Sequence, residues 1–400
     1  MTITAVETLR LAEFPNLIWV LLEDEAGRIG LGETFLGAEA VEAYIHETAA
    51  PLLIGRPGDP EPVRLALRPY VGHQAPGAEI RGQSAVDLAL WDLWGKRTGQ
   101  PVWRLLGGRA REAIRVYNTC AGYGYVRAAR GQVSENWGLG GNEGPYEDLE
   151  AFLTDAGSLA EDLLSEGVSA MKIWPFDRYA EATNGMAITP DELDEGCEPF
   201  RKIRQAVGNR MQIMLEMHSL WSAPAAGDIA RALAPYDIYW VEDPIQMSGF
   251  AALADLRRRI PQKITASETL AGRRQFLDLV SADAVDIVMF DLGWCGGLTE
   301  AKAIASIAEA RALPVAPHDC TGPVVFAASC HFSVHAPNAL IQERVRAFHT
   351  GWHRELVDNV PVFEDGMIAP PQGEGFGLAL KPDLFDRADA THRRSGAGDA

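Results

Sequence analysis

Three glutamates end three short apolar stretches at a constant spacing: Glu216 in IMLEMHS, Glu242 in IYWVEDP and Glu268 in KITASET. The steps 242−216 and 268−242 are both 26 residues, which fits one strand plus one returning helix. Each acid is therefore expected at the same end of successive parallel strands. Three carboxylates that converge there form a site for a hard divalent cation, and we expect Mg²⁺.

Further polar residues occupy the ends of the neighbouring apolar stretches. Asp291 ends VMFD, His318 ends PVAPH and Glu343 lies in LIQERV, at steps of 291−268 = 23, 318−291 = 27 and 343−318 = 25. Upstream, Lys172 ends a stretch in GVSAMKIW, and His218 lies two residues beyond the first glutamate. Alternation along a strand places both side chains on one face, so both are expected to point into the same mouth.

This set of groups suits removal of the proton α to a carboxylate, because the negative charge that develops must be stabilised as it forms. A bound cation supplies most of that stabilisation, with Lys172 and Glu343 as further partners for the carboxylate oxygens. His318 is the candidate base, and Asp291 is expected to orient its imidazole. The alternative for this pair is a core histidine satisfied by a buried acid.

The elements that must position these residues alternate between strands and helices. The predicted strands are AIRVYNTC, GVSAMKIW, MQIMLEM, DIYWVED, KITASE, AVDIVMFD, LPVAPHD and ALIQERV. The segments between them, such as GDIARALAPY and AALADLRRRI, have the spacing of amphipathic helices. Eight parallel strands with crossover helices predict an α/β chain that forms a (β/α)₈ barrel of the TIM type.

A different pattern precedes the barrel. Residues 1–33 alternate like a β-meander, and a helix is predicted over 84–99 with Ser84 as its N-cap and Gly99 as its stop. The predicted divisions of the chain are an α+β capping domain over 1–112, the barrel over 113–345, a returning segment over 346–388 and a disordered tail over 389–400.

Composition narrows the function classes. The formal net charge is −19 and the sequence pI is about 4.9, which argues against a nucleic-acid or membrane-surface partner. The five cysteines form no C-x-x-C pair and are expected to be reduced thiols. The N-terminus has no basic region before an apolar run, and no run approaches the ~20 residues of a membrane span. A cytoplasmic enzyme with a small anionic substrate is expected.

The motifs VEDP, ASET, FDLGWCGGLTEA, APHDCTGP and IQE, in this order, closely resemble the mandelate racemase-like branch of the enolase superfamily. The resemblance covers nearly the whole chain, including the meander and SAVDLALWDLWGK. It implies a modified barrel under a capping domain and a homo-oligomer. It also implies three glutamate Mg²⁺ ligands, Asp291–His318 as the base dyad and Glu343 as an acid near the substrate carboxylate.

Two departures from the family pattern narrow the expected reaction. Family racemases and cycloisomerases commonly carry Lys-x-Lys at the second strand, whereas this chain has Lys172-Ile173-Trp174. Tryptophan cannot take a proton, so Lys172 is expected as a charge beside the substrate. The second departure is His218 in Glu-x-His, which resembles the acid-sugar dehydratases, where such a histidine helps a β-hydroxyl to depart. The alternatives are a supporting hydrogen-bonding role for His218 and, for the protein, a cycloisomerase or epimerase with the same first step.

Weaker signals concern the pocket wall. Trp174 and Trp294 follow strand ends and either wall the pocket or pack. Thr34, Phe35 and Asn118 are substrate-binding candidates from position and resemblance. Residues 121–150 and 175–196 are long connections at the barrel mouth, read either as lids or as structural excursions. The pair His331 and His335 has zinc-like spacing, but helix packing is the preferred interpretation.

Overall fold

The computed structural model describes residues 2–69, 75–125, 127, 129–133, 137–140 and 144–396. Its strands are β1 (Ile3–Leu11), β2 (Leu17–Asp24), β3 (Ile29–Phe35), β4 (Ile114–Thr119), β5 (Ala170–Ile173), β6 (Gln212–Glu216), β7 (Trp240–Glu242), β8 (Lys263–Ala266), β9 (Ile287–Asp291), β10 (Val315–His318), β11 (Gln342–Arg344), β12 (Val362–Glu364), β13 (Met367–Ala369) and β14 (Ala390–Gly396). All eight strands predicted for the barrel are present, from β4 to β11.

The α-helices are α1 (Ala38–Tyr44), α2 (Ala50–Leu53), α3 (Pro60–Ala66), α4 (Ala78–Thr98), α5 (Val102–Leu105), α6 (Asp148–Thr154), α7 (Ala156–Ser165), α8 (Asp177–Ala180), α9 (Pro190–Val207), α10 (Ala223–Ala232), α11 (Phe250–Arg259), α12 (Gly272–Ser281), α13 (Gly297–Ala310), α14 (Pro323–His335), α15 (Arg346–Thr350) and α16 (His353–Leu356). A π-helical turn, Ile45–Ala49, joins α1 to α2. Short 3₁₀ turns lie at Glu181–Thr183, Gly208–Arg210, Ala234–Tyr236 and Pro382–Asp386.

An antiparallel sheet and the long helix α4 form the N-terminal part of the molecule. The strand order within the described residues is β14-β1-β2-β3. Two glycines of β3 allow α4 to approach closely, because a Cβ at Gly30 or Gly32 would lie 2.1 Å or 1.9 Å from a helix carbonyl oxygen. This contact lets the helix cover the sheet, which is the capping arrangement expected from the sequence.

Helix α4 begins earlier than predicted. Ser84 is not its N-cap, because the Ser84 hydroxyl lies within the helix and donates to the Ile80 carbonyl at 2.8 Å. The same hydroxyl accepts from the Gly296 N–H of the barrel at 2.9 Å. The predicted stop is confirmed, since Gly99 follows the helix with a left-handed φ of 64°.

The C-terminal tail corrects another expectation. Residues 389–400 were predicted to be disordered from their polar composition, but β14 pairs with β1 along its length, from Ala5–Gly396 to Leu11–Ala390. An ion pair between Arg394 and Glu23 (2.7 Å) also connects β14 to β2. Residues 390–396 form this strand because β1 offers a free edge to them, an effect of tertiary structure that composition does not encode; residues 397–400 lie outside the described ranges.

The barrel follows the order β10-β9-β8-β7-β6-β5-β4, with β11 parallel to β4. The circle closes through the residues before β11, where the Leu340 N–H donates to the Val315 carbonyl at 2.8 Å. Bulky side chains fill the interior, including Tyr117 and Trp240, whose rings meet edge to face at 5.3 Å. The polar residues at the carboxyl ends of the strands are therefore confined to one mouth.

Buried acids of the capping domain bind the barrel beside that mouth. Glu33 of β3 accepts from the N–H groups of Val324 and Val325, at 3.2 and 3.0 Å, at the start of α14. Asp87 of α4 accepts from the Thr299 N–H, at 3.0 Å, at the start of α13. Burial raises the pKa of Glu33 to about 8 and that of Asp87 to about 7. Free helix N–H groups satisfy such acids, so these contacts fix the capping domain over the loops that follow β9 and β10.

The segment after β11 returns across both parts of the chain. Its hairpin, β12 and β13, pairs antiparallel with the outer part of β4. Further on, the Phe376 N–H donates to Asp92 of α4 at 2.8 Å. The five cysteines are free thiols. Within the described residues, no helix combines the length and the apolar character needed to cross a bilayer.

A buried ion pair ties α6 to the strand-end segment at α15. Arg346 donates twice to Asp148, at 2.7 and 2.8 Å, and both side chains are almost fully buried. We expect Arg346→Met to lower the free energy of unfolding by about 3–5 kcal/mol, because it leaves a buried carboxylate without its cation. Urea denaturation measures this loss. The exposed pair Arg130–Glu39 is the control, since Arg130→Met is expected to cost less than about 1 kcal/mol; equal costs for the two variants would contradict the prediction.

Candidate active site

The three glutamates converge as the spacing predicts. Glu216 and Glu242 are the last residues of β6 and β7, and Glu268 lies two residues beyond β8. All three are buried, and one carboxylate oxygen from each lies within 4.8 Å of the others. The Glu216 carboxylate is held in place by the N–H groups of Met217 and His218, at 2.9 and 2.6 Å.

The electrostatics of this cluster fit a bound cation. Burial, together with the charge of Glu216, raises the pKa of Glu242 well above its usual range, and burial raises the pKa of Glu268. The buried Glu268 Oε2 has no hydrogen-bond partner among the described residues. Three buried carboxylates that repel each other, one with an orphaned oxygen, are stabilised by a hard divalent ion. The three residues therefore fit the Mg²⁺ that we expected.

Lys172 at the end of β5 lies against this cluster. Its Nζ is 2.6 Å from Glu242 and 3.4 Å from Glu216, and it is 3.0 Å from Glu343 on the other side. Burial lowers the pKa of Lys172, but the surrounding carboxylates outweigh it and the pKa lies well above its usual range. The side chain is a fixed positive charge, and a fully protonated ammonium cannot act as a base.

Glu343 contacts the Lys172 ammonium and is fully buried. One of its oxygens accepts from the Thr119 hydroxyl, and the other accepts from the Asp319 N–H at 2.7 Å. Burial raises its pKa, but the charges of Lys172 and His318 bring it down to about 2. Glu343 is thus an ionised anchor for Lys172 and Thr119.

His318 and Asp291 form the predicted dyad. The His318 Nδ1 lies 2.8 Å from Asp291 Oδ2, and the second Asp291 oxygen accepts from the Gly293 N–H at 2.6 Å. Because the carboxylate holds Nδ1, Nε2 is the nitrogen left for a substrate. Burial lowers the pKa of His318, but the charges of Glu343 and Glu268 and the bond to Asp291 raise it to about 10. A cation bound at Glu268 would cancel part of this attraction, so the imidazole would release its proton at a lower pH.

His218 reaches the same mouth by a turn. Strand alternation was the expected reason, but β6 ends at Glu216 and His218 has a left-handed φ of 45°. Its Nδ1 is 2.5 Å from Asp177, and its Nε2 is 3.3 Å from the Gln132 amide. Burial lowers the pKa of His218, but Asp177 and Glu216 raise it to about 9. These carboxylates favour the protonated imidazole, and 21% of the His218 side chain is exposed.

One cavity brings these groups together. Among the residues that line it are Lys172, Glu216, His218, Glu268 and His318. A wider cavity, lined in part by residues of α3 and α12, shares no lining residue with it. We assign the chemistry to the first cavity, because it is where metal-type carboxylates and two histidines with raised pKa values converge.

The substrate-wall predictions have mixed outcomes. Trp174 and Trp294 both line the cavity, and the Trp294 ring lies 5.6 Å from the His318 ring. Thr34 does not line it; its hydroxyl donates to the Gly293 carbonyl at 2.7 Å and so supports the loop after Asp291. Phe35, the candidate next to it in the chain, lines the cavity.

Asn118, the other substrate-binding candidate, is not among the residues that line the cavity. Its amide nitrogen donates to Asp148 at 2.9 Å and its oxygen accepts from the Arg346 N–H at 3.0 Å. The next residue, Thr119, lines the cavity instead. Successive strand residues face opposite sides, so a shift of one residue exchanges the two roles.

Two cavity residues and the aspartate that contacts His218 escaped prediction because they lie on the long connections. Tyr125 and Gln132 come from residues 121–150, and Asp177 begins α8 within 175–196. Asn16 of the capping domain holds the first connection, since its amide donates to the Ala129 carbonyl at 2.8 Å and accepts from the Gly131 N–H at 2.9 Å. The described part of 121–150 is thus a built wall of the cavity; residues 126, 128, 134–136 and 141–143 lie outside the described ranges.

His331 and His335 lie on α14, and both rings form hydrogen bonds with backbone groups. His331 accepts from the Trp103 N–H and donates to the Phe376 carbonyl, both at 3.2 Å. His335 donates to the Gly108 carbonyl at 2.7 Å. Backbone partners occupy these rings, which favours the packing interpretation over a zinc site.

Comparison with known proteins supplies the family. Residues 3–107 match the family described as mandelate racemase/muconate lactonizing enzyme, N-terminal domain, and residues 155–384 match the enolase C-terminal domain-like family. The chain belongs to the mandelate racemase-like branch of the enolase superfamily. Its fold is accordingly the modified TIM-type barrel with an α+β capping domain that the sequence predicted.

Individual relatives span nearly the whole of this enolase superfamily member. A D-galactonate dehydratase from Ralstonia nicotianae is 30% identical over 397 residues, which cover 96% of this chain and 93% of the relative. A D-gluconate dehydratase from Thermoproteus tenax is 27% identical over 384 residues, 94% of this chain and 70% of the relative. A solved enolase of the mandelate racemase subgroup from Agrobacterium tumefaciens is 46% identical, with a TM-score of 0.88 and full coverage of both chains.

Proposed function

We propose that this enzyme is a Mg²⁺-dependent acid-sugar dehydratase. It removes the proton α to a carboxylate and eliminates the β-hydroxyl, giving a 2-keto-3-deoxy acid. The observation that carries the proposal is a pair of imidazoles, His318 and His218, each held at Nδ1 by a buried aspartate and each lining the cavity that Glu216 and Glu268 also line. One imidazole serves as base and the other as acid. The relatives named as dehydratases of sugar acids support the same reaction.

His318 takes the α proton through Nε2. Asp291 keeps Nδ1 protonated and stabilises the imidazolium that forms, as an orienting carboxylate does for a general base. The ring of Trp294, 5.6 Å away, covers one side of the imidazole and keeps bulk water from it. The base is therefore held in one orientation before the substrate arrives.

The substrate carboxylate is expected to bind at the end of the cavity that holds Lys172. Mg²⁺, when held by Glu216, Glu242 and Glu268, supplies the positive charge for the oxygens on which negative charge develops. Lys172 adds a fixed charge from the other side, and Glu343 with Glu242 keeps its Nζ in place. The net charge of −19 repels an anion, so this local charge decides where the carboxylate binds.

His218 completes the elimination. As the bond from the β carbon to its hydroxyl breaks, the imidazolium donates its Nε2 proton and the hydroxyl leaves as water. The resulting enol takes a proton at the former β carbon and becomes the ketone. The balance is one substrate converted to one keto acid and one water, with no oxidant or reductant.

The replacement of the second family lysine by Trp174 disfavours racemisation. Trp174 is buried in an aromatic cluster with Tyr125 and Phe152, with ring centroids 5.4 and 5.3 Å apart. An indole at this place has no basic nitrogen, so a two-base racemase lacks one of its bases. A cycloisomerase or epimerase would release a product isomeric with its substrate, and semicarbazide would trap no ketone.

The test of the reaction is a screen of mono- and diacid sugars with Mg²⁺, with keto acid read by semicarbazide. With a substrate in hand, we expect His218→Asn to exchange the α proton with deuterated water while keto-acid formation falls about 10²–10⁴-fold, since only the acid is lost. The control is His392→Asn, which changes an exposed histidine on β14. Normal dehydration by His218→Asn would remove His218 from its assigned role.

A further inference from the structure

The active site contains a second buried aspartate–histidine pair besides the base dyad, namely Asp177 and His218. The Asp177 side chain is 6% exposed, and its Oδ2 lies 2.5 Å from His218 Nδ1. Sequence reasoning did not single out Asp177, because it lies in the connection after β5 and ends no strand. Its geometry matches that of Asp291, which holds His318 Nδ1 at 2.8 Å.

His218 is the charged partner of the Asp177 carboxylate. Within the described residues, Asp177 forms no ion pair other than that with His218, and its other oxygen is buried without a hydrogen bond. A buried carboxylate is costly unless a charged donor compensates it. The local backbone is also fixed, since the neighbouring Phe176 packs on Phe200 and occupies the space that a Cβ at Gly196 would need. Asp177 is thus held rigidly against the ring.

The consequence concerns which nitrogen faces the substrate. An ionised carboxylate only accepts, so His218 Nδ1 donates to Asp177. Nε2 is then left on the cavity side, 3.3 Å from the Gln132 amide. The Trp174 ring, 5.9 Å away and nearly perpendicular, restricts rotation of the imidazole. The carboxylate and the indole together select one orientation of the ring.

We infer that Asp177 is a positioning residue for the elimination half of the reaction: it fixes the orientation of His218 so that Nε2 is presented to the departing hydroxyl. This inference rests on the proposed function and adds a residue to it. Asp291 does the same for the base, so the two halves of the reaction have separate orienting carboxylates. A role for Asp177 in local folding alone would affect both halves equally.

The test is to measure proton removal and elimination separately in Asp177→Asn. An asparagine keeps the shape, but its amide nitrogen can donate to Nδ1 and so favour the wrong tautomer. We expect keto-acid formation to fall about 10–100-fold, as for other residues that orient a reactive side chain. Exchange of the α proton in deuterated water should stay within about threefold of the parent, because His318 and Asp291 are untouched.

Three further variants distinguish positioning of His218 from a folding defect. The double variant Asp177→Asn/His218→Asn should be no slower than His218→Asn alone, because the aspartate acts only through the ring. Asp177→Glu keeps a carboxylate and should recover part of the elimination rate, which a folding defect would not predict. Asp194→Asn, at a side chain that is 82% exposed on α9, is the matched control and should leave both rates unchanged.

The outcomes that overturn the inference are specific. Equal loss of exchange and elimination in Asp177→Asn would assign the residue to structure, and unchanged elimination would remove its role. A double variant slower than His218→Asn would show that Asp177 acts elsewhere. Failure of the proposed function has a different signature, which is normal dehydration by His218→Asn or a screen that yields no keto acid from any sugar acid.

Discussion

Replacing His318 by asparagine is expected to abolish exchange of the substrate α proton and keto-acid formation together, with a loss of about 10²–10⁴-fold or more. Asparagine keeps a hydrogen bond toward Asp291 but has no group that takes a proton near neutral pH. Both readouts fall because proton removal precedes elimination. Proton NMR of the substrate in deuterated water measures the first, and trapping of the ketone measures the second.

The contrast with His218→Asn makes this result decisive, because that variant should lose only the ketone. Asp291→Asn should lower both rates by a smaller factor, about 10–100-fold, since the base remains but is less well oriented. Exchange that survives in His318→Asn would place the base elsewhere and leave the dyad as a structural pair.

Removing one metal-type carboxylate is expected to have a comparably large effect. In Glu268→Gln, activity should fall about 10³-fold, which corresponds to about 4 kcal/mol of lost charge stabilisation. A binding readout is independent of activity. If Mg²⁺ binds the parent at 100 times its Kd, it stabilises the fold by about 2.7 kcal/mol, and the variant should lose most of that gain.

Thermal denaturation with and without Mg²⁺ measures this difference. The control is Glu364→Gln, which changes an exposed carboxylate of β12 and should keep the full Mg²⁺ response. A Glu268→Gln protein that is stabilised by Mg²⁺ as strongly as the parent would contradict the metal site, whatever its activity.

The strand-end residues were predictable because they depend on a period. One strand plus one helix takes about the same length each time, so Glu216 and Glu242 end neighbouring strands in register and Glu268 follows two residues after the next strand, without any knowledge of the loops. Asp291 and His318 follow by the same rule, and the structure places them 2.8 Å apart. An error of one residue at a strand end is enough to select the wrong side chain: Asn118 was predicted to face the cavity, whereas the next residue, Thr119, lines it.

Residues on connections were not predictable in this way. Asp177 and Gln132 reach His218 from two different connections, and their positions depend on tertiary contacts such as Asn16 with residues 129–131. Ser84 failed as an N-cap because the helix continues upstream of it to Ala78. Local residue preferences predict neither the position of a long connection nor this earlier start of the helix.

Several expectations stay predictions. The identity of the cation as Mg²⁺, the homo-oligomer and the cytoplasmic location follow from resemblance and composition. The choice of sugar acid depends on the walls formed by Phe35, Tyr125, Trp174 and Trp294, whose polar and apolar surfaces must match the hydroxyl pattern of the substrate. The screen of acids addresses that choice directly.

A crystal structure with Mg²⁺ and a sugar acid that the screen identifies is the most direct test. The ion should lie about 2.0–2.1 Å from oxygens of all three glutamates, with the acid's carboxylate between the ion and Lys172. Nε2 of His318 should face the α carbon, and Nε2 of His218 the β-hydroxyl. An ion bound away from the glutamates, or an α carbon–hydrogen bond that points away from His318, would contradict the account.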